Sequence, residues 1–555
     1  MSAPNFPFPF TEFHGYDGDG DEALTLVDLR MIELSYALRS KSSWWTKIND
    51  PVIRSKWKAE ALEHVIQGEK LTEAEVEWVL DELGDYSKMR DQATGIQPSC
   101  HARIWESDEL VSQDLNSRLK LAVAVLENVP EDEKDWHPGS RNRVLDLVHP
   151  SLFCAVYGRT LFWDDSEEDR CLKVLEAPDE EMDGWAYSDQ FCWIPTDFQL
   201  GENGAAAKAL GYINNVHPQK HKDLIPVIED LVGRFSLLWD KVLTDIHPEH
   251  HGKLPGRTKV TQSYEWVDNP EYPDPPWQLE QELGKEEYQK RFELWKENRV
   301  LKPPTVDQRG YHGSGQDITS RDVTYSVQGK EVQVIVKLAN IQLTPDDPFY
   351  PGGNWHVEGM GNERIVASGI YYYDCENITE SHLAFRVAVN FEGAQYEQSD
   401  GVGISLVWGL DSDEPSNQEV GSVKTSAGRC IAFPNIYQHE VSSFELVDSS
   451  KPGHRKIVAL FLVDPEDGIP STSEIPPQQG HWAREAIRET LVNDTKRMKA
   501  SLPVELADMV ADRVDNLMTL EEAKDYREEL MDERTAFVDV VDERYFCTEF
   551  SFCEH

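Results

Sequence analysis

Near residue 322 the chain changes its periodicity, and that change limits what it can fold into more than any other feature. The segments DVTYSVQGKEVQVIVKLANIQLT, ERIVASGIYYYD, LAFRVAVNF, GISLVWGL, GRCIAFP, QHEVSSFELV and RKIVALFLVD are short, β-branched and aromatic, and Gly, Pro, Asn and Asp separate them. That pattern predicts an antiparallel sandwich or barrel. The flanks read differently. Apolar residues recur at three- and four-residue spacing from about 23 to 95, as in KWKAEALEHVIQ and LTEAEVEWVLDELGDY, and again over 110–128, 220–246, 279–299 and 481–534. These spacings predict amphipathic helices. Residues 140–200 mix strand-like and loop segments, and DNPEYPDPPWQ at 268–278 breaks structure. The expected organisation is a flexible acidic tail over 1–22, a largely helical region over 23–321, a β core over 322–470 and a helical region over 471–555. The fold class is α+β.

Composition narrows the functional classes. At 555 residues the chain exceeds one typical core, and 39% hydrophobic with 28% charged residues is a globular mixture. A formal charge of −47 repels phosphate backbones, which argues against nucleic acid and anionic membranes as partners. No apolar run is long enough to span a bilayer. The first residues lack a basic stretch followed by an apolar one, so no secretory signal is expected. The eight cysteines are scattered along the sequence and read as reduced thiols. The expected location is the cytosol, or the nucleus.

Within the β-rich region lies Tyr350-Pro351-Gly352-Gly353-Asn354-Trp355-His356-Val357-Glu358. Residues i and i+2 of an extended segment share a face, so His356 and Glu358 can point at one centre. Farther on comes Phe433-Pro434-Asn435-Ile436-Tyr437-Gln438-His439-Glu440-Val441. Two imidazoles and one carboxylate make a facial triad for iron(II) that leaves coordination positions open. An His-x-Glu alone is a weak signal. The order His-x-Glu, strands, Gly-x-x-x-x-Phe-Pro, His-Glu-Val and then the strand from Arg455-Lys456 is more specific.

That order, over roughly 333–465, resembles the prolyl-hydroxylase branch of the iron(II)/2-oxoglutarate oxygenases. The resemblance implies a double-stranded β-helix, a jelly-roll or cupin-like core braced by the N- and C-terminal helices. It implies Fe(II) held by His356, Glu358 and His439. Arg455 would grip the distal carboxylate of 2-oxoglutarate, with Lys456 as the alternative, since neighbours on a strand face opposite ways. Tyr372 matches the tyrosine that donates to the cosubstrate, and Tyr350 a second pocket tyrosine. Two departures stand out: Glu replaces the commoner Asp, and the gap from His439 to Arg455 is lengthened by Glu445–Gly453, expected as a hairpin loop. Halogenating relatives lack the carboxylate, so hydroxylation, desaturation or demethylation is implied. The whole chain also resembles a fungal family carrying a domain of unknown function, through Leu29-Arg30-Met31, Tyr212–Pro218, Trp355–Met360 and Phe552–His555.

The implied activity is a dioxygenase that uses O₂ and an unidentified small-molecule substrate, the oligomeric state being open. Two alternatives stand beside it, a protein side-chain hydroxylase or demethylase of the same chemistry, and a non-catalytic cupin-like metal-binding protein. Other groups have blander readings. Asn214, Asn215 and His217 read as a packed turn rather than a pocket wall. Cys547, Cys553 and His555 offer too few ligands for a closed zinc shell.

Overall fold

The computed structural model describes residues 5–10, 21–164, 171–178, 186–250, 257–258, 264–314, 317–390, 400–412, 414–493, 502–514, 517–541 and 546. Cys547, Cys553, His555 and most of the 1–22 segment lie outside them. The described residues form a mixed α+β structure with antiparallel sheets.

Four helices matter for the site. They are α1 (Leu26–Arg39), α2 (Glu73–Met89), α3 (Gln113–Glu127) and α4 (Ile225–Asp245). Their starts follow from local chemistry. Thr25 with Asp28, and Thr72 with Glu75, form reciprocal capping boxes. Pro226 sits in the first turn of α4, where its missing N–H costs nothing. The helix expected over 279–299 is split at Gly284, whose φ of 83° suits glycine. The helix expected over 481–534 is three pieces, Gly480–Arg488, Val504–Ala511 and Leu520–Val541; Pro503 precedes the second.

The strands used below are β1 (Trp105–Ser107), β2 (Val144–Val148), β3 (Thr196–Gln199), β4 (Glu331–Leu343), β5 (Ile365–Glu376), β6 (His382–Asn390), β7 (Asn417–Lys424), β8 (Cys430–Pro434), β9 (Gln438–Val441) and β10 (Gly453–Val463). The larger sheet runs β3–β4–β10–β5–β8–β1, with β2 also on β4. The smaller joins β9–β6–β7, and an isolated bridge ties His356 to β9. The N-terminal region expected as largely helical therefore also supplies strands to the larger sheet. Those strands are short, which hides their period-2 signal.

Alternation assigns each face. On β5, Tyr371 and Tyr373 turn outward: Asn116 of α3 donates to the Tyr371 hydroxyl at 2.7 Å, and the Tyr373 hydroxyl donates to Asn340 at 3.1 Å. Gly369 shares that face, where a Cβ would lie 2.5 Å from Phe235 of α4, so only glycine admits the helix so close. Ser368, Ile370 and Tyr372 face inward. So do Phe433 and Ile431 of β8, paired with Ser368 and Ile370. Phe433 meets Phe385 of the smaller sheet edge-on at 5.0 Å, which packs the two inner faces together.

The tail was expected to be free, but its described residues are not. Phe6 and Phe10 are buried, and Asp21 pairs with Val389 of β6 while accepting from Arg103 at 2.8 Å. Aromatic burial outweighs the entropy of ordering these few residues. The described cysteines are free thiols, and among the described residues no helix is long and apolar enough to cross a membrane.

Candidate metal centre

The site is built on a tight approach of two loops. Phe349–Tyr350 pairs with Phe444–Glu445, and then the chain turns at Pro351-Gly352-Gly353. Gly352 has φ 101°, and a Cβ there would lie 2.8 Å from the Val441 carbonyl. Gly353 N–H donates to that same carbonyl at 2.9 Å. The turn lays the following residues along β9. His356 and His439 exchange backbone hydrogen bonds at 3.2 and 3.0 Å. Directly opposed residues of an antiparallel pair project to one side, and the two imidazole centroids are 4.4 Å apart.

Glu358 returns to the same side two residues later. Its backbone is clamped by Asn435, which accepts from Glu358 N–H at 2.9 Å and donates to Glu358 C=O at 2.9 Å. Glu358 Oε1 lies 3.4 Å from His439 Nε2 and 3.9 Å from His356 Nε2. Two donors on one ion at about 2.1 Å each cannot be more than about 4.2 Å apart, and both separations satisfy that. His356 Nδ1 donates to the Asn354 carbonyl at 2.7 Å, which leaves the Nε2 lone pair for a cation.

Protonation states suit a metal. Burial, reinforced by the charge of His439, pushes His356 down to about 4. Burial pushes the Glu358 carboxyl up, but the His439 hydrogen bond and the imidazole charges outweigh it and hold the group at about 2. At neutral pH His356 is thus a neutral imidazole and Glu358 a carboxylate, the forms that ligate.

The remaining sequence-derived residues divide by face. Arg455 is buried at 2% exposure and inward, with its guanidinium carbon 5.6 Å from the Tyr372 ring centre and 5.2 Å from that of Phe444. Its one hydrogen bond to a described residue is a 3.4 Å contact to Ser381 Oγ, and its Nε has no partner. Tyr372 is buried, which pushes its hydroxyl up to about 12. Tyr350 packs on Phe444 at 5.0 Å beside the same guanidinium. Lys456 points the other way and pairs with Glu127 of α3 at 2.8 Å. The lengthened gap is a closed turn: Asn377 donates to the carbonyls of Asp448, Lys451 and Pro452 and brings Arg455 back to the sheet.

The family described as a protein of unknown function, DUF4246, matches residues 73–486, and its N-terminal domain of unknown function matches residues 2–60. The chain belongs to the DUF4246 family. No curated protein matches this DUF4246 chain. Among solved structures it is similar to an Fe(II)/(alpha)ketoglutarate-dependent dioxygenase, TqaL, at 12% identity over 28% of this chain and 50% of that one, with a TM-score of 0.16. It is similar to a prolyl-4-hydroxylase of Pseudomonas putida at 13% identity over 23% and 51%, with a TM-score of 0.11. It is similar to the dioxygenase for auxin oxidation in rice at 12% identity over 70% and 81%, with a TM-score of 0.23. The chain spans about half the length of the first two. The chemistry of the DUF4246 site follows from its own side chains.

Two features of this DUF4246 chain escape sequence reasoning. Asn435 follows the Phe-Pro pair with no pattern that marks it as a clamp. A second cluster, His137, Asp146 and His149, also has ligand-type atoms within 4.8 Å of one another. The difference lies at His149, whose Nδ1 lone pair is occupied, while Asp146 Oδ1 has no hydrogen-bond partner. His137 Nδ1 donates to Asp146 Oδ2 at 2.8 Å, Arg527 lies 3.9 Å from that oxygen, and His149 Nδ1 accepts from Ser151 N–H at 3.2 Å. The proton of neutral His149 therefore sits on Nε2, so this group fits a hydrogen-bond network better than a cation. Asn214 and Asn215 hold neighbouring loops through the carbonyls of Phe153, His149 and Leu152, as a packed turn would.

Proposed function

We propose that this DUF4246 protein is an iron(II)- and 2-oxoglutarate-dependent oxygenase acting on a small molecule, with a double-stranded β-helix core over about 322–470. The observation that carries the reading is Arg455, a buried guanidinium without a carboxylate partner among the described residues, opening onto the same interior as two imidazoles and a carboxylate. A buried unpaired charge is costly, so its retention makes sense when an anionic ligand completes it. The ladder orders β4–β10–β5–β8 and His356–β9–β6–β7 support the barrel reading.

In this reading His356, Glu358 and His439 hold iron, and the donor set, rich in nitrogen and oxygen and free of thiolate, suits that metal. Iron with 2-oxoglutarate, when bound, supplies O₂-dependent oxidation of the substrate coupled to oxidative decarboxylation of the cosubstrate to succinate and CO₂. The chain positions and shields. Arg455 offers a planar fork to the distal carboxylate. Tyr372 stays protonated at neutral pH and can donate to the same group, with Tyr350 walling that end. Phe433, 4.9 Å from the His439 ring, together with Ile370 and Ile431 excludes water from the ligand side. With iron bound, Glu358 would supply the carboxylate that halogenating enzymes lack, which favours hydroxylation, desaturation or demethylation.

The test is anaerobic titration of folded apoprotein with Fe(II) and 2-oxoglutarate. A weak visible metal-to-ligand charge-transfer band is expected. Its absence in folded protein would overturn the proposal.

A further inference from the structure

The inner face of the larger sheet carries a second cation. Ile335, Lys337, Ala339 and Ile341 alternate on β4, with Lys337 opposite Ala459 and Ile341 opposite Arg455. Lys337 thus shares the face of Arg455 but sits four residues along β4, about 14 Å at 3.4 Å per residue. Arg455 is engaged at its own end by Ser381, Tyr372 and Phe444. Lys337 lies two residues along the same face from Ala339, the partner of Asp146, and its charge bears on His356 and Glu358 as well as on Asp146 and His149.

Two carboxylates, Glu358 and Asp146, lie near Lys337. Glu358 belongs to the candidate metal set. Asp146, which projects to the same face opposite Ala339, accepts from His137 at Oδ2, which also neighbours Arg527, while its Oδ1 has no hydrogen-bond partner. No hydrogen bond or ion pair joins the Lys337 ammonium to a described residue. The pocket therefore has two cationic poles, and one cosubstrate needs only one of them. A single ammonium flanked by carboxylates, in a chain of net charge −47, balances one negative charge and disfavours a dianion.

We propose that Lys337 anchors the substrate, and that the substrate carries a carboxylate. The proposal rests on the oxygenase reading above. The test uses full-length protein loaded with Zn(II) and 2-oxoglutarate, and ligand-observed NMR with two matched pairs, phenylacetate with phenylacetamide and octanoate with octanamide. Wild type should bind at least one carboxylate at least about tenfold more tightly than its amide, the scale of a charge-assisted hydrogen bond. K337M should lose that preference, K337R should keep it, and the affinity of K337M for 2-oxoglutarate by calorimetry should match wild type. Equal binding of acid and amide, no carboxylate binding to wild type, or preference retained in K337M would overturn the proposal. So would loss of 2-oxoglutarate affinity in K337M, which would make Lys337 the cosubstrate holder. Failure of the oxygenase reading looks different, because wild type would then show no charge-transfer band with Fe(II).

Discussion

Individual side chains in the site trade stability for chemistry. His439 is 3% exposed, and its Nδ1 has no partner. His439→Ala should abolish the Fe(II)/2-oxoglutarate band while leaving the circular dichroism of the fold intact; a persistent band would remove His439 from the ligand set. Arg455 makes a sharper case. Replacing a buried guanidinium that has no carboxylate partner by an apolar chain of similar length is often neutral or stabilising. Arg455→Met should raise the dissociation constant Kd for 2-oxoglutarate at least about tenfold, yet hold the unfolding free energy or increase it by about 1 kcal/mol or more. Lys456→Met, which removes only the Glu127 pair, should leave that Kd unchanged.

At the scale of elements, the triad depends on how the segment carrying His356 and Glu358 is pinned to the strand connection before β9. Asn435 is 1% exposed and satisfies both backbone groups of Glu358 as well as the Ile365 carbonyl at 3.1 Å. Asn435→Ala leaves those buried groups unpaired. We expect about 1–3 kcal/mol of lost stability by urea denaturation and about a 10- to 100-fold weaker metal affinity by calorimetry. Loss of stability with unchanged metal affinity would show that the clamp serves the fold alone. The hairpin before β10 illustrates the same dependence: its length was legible, but the Asn377 carbonyl contacts that return Arg455 to the inner face were not.

For the whole molecule, buried neutral imidazoles set the acid limit. Burial foremost holds His101 and His149 at about 3, against about 6.5 in the unfolded chain. The unfolded state therefore binds more protons between those values, and stability falls as pH drops below about 6.5. At pH 5 each imidazole costs on the order of 2 kcal/mol. Glu358 acts in the other sense, contributing stability above the usual carboxyl range that is lost as pH falls through about 2. Urea midpoints at pH 7.5 and 5.0 should drop for wild type and drop less for His101→Asn. High salt should be used, because protonating a chain of net charge −47 also relieves self-repulsion. Equal drops would show that His101 is not a source of acid sensitivity.

The amino-acid sequence by itself determined the flanking helices, the antiparallel strands from 331 onward apart from GISLVWGL, most of which lies in the helix Gly401–Trp408, and the i, i+2 placement of His356 and Glu358, because these rest on periodicities of two and 3.6 that act between near neighbours. It did not reveal the burial of Phe6 and Phe10, the short strands β1, β2 and β3 in the larger sheet, or the clamp at Asn435. Those depend on contacts between residues far apart in the chain, where no local period operates. Nor could it choose between Arg455 and Lys456 as the inward cation, or find Lys337. Adjacent positions on a strand are equivalent until a register assigns them faces, and only tertiary pairing of β4 with β10 and packing of α3 against the outer face did so.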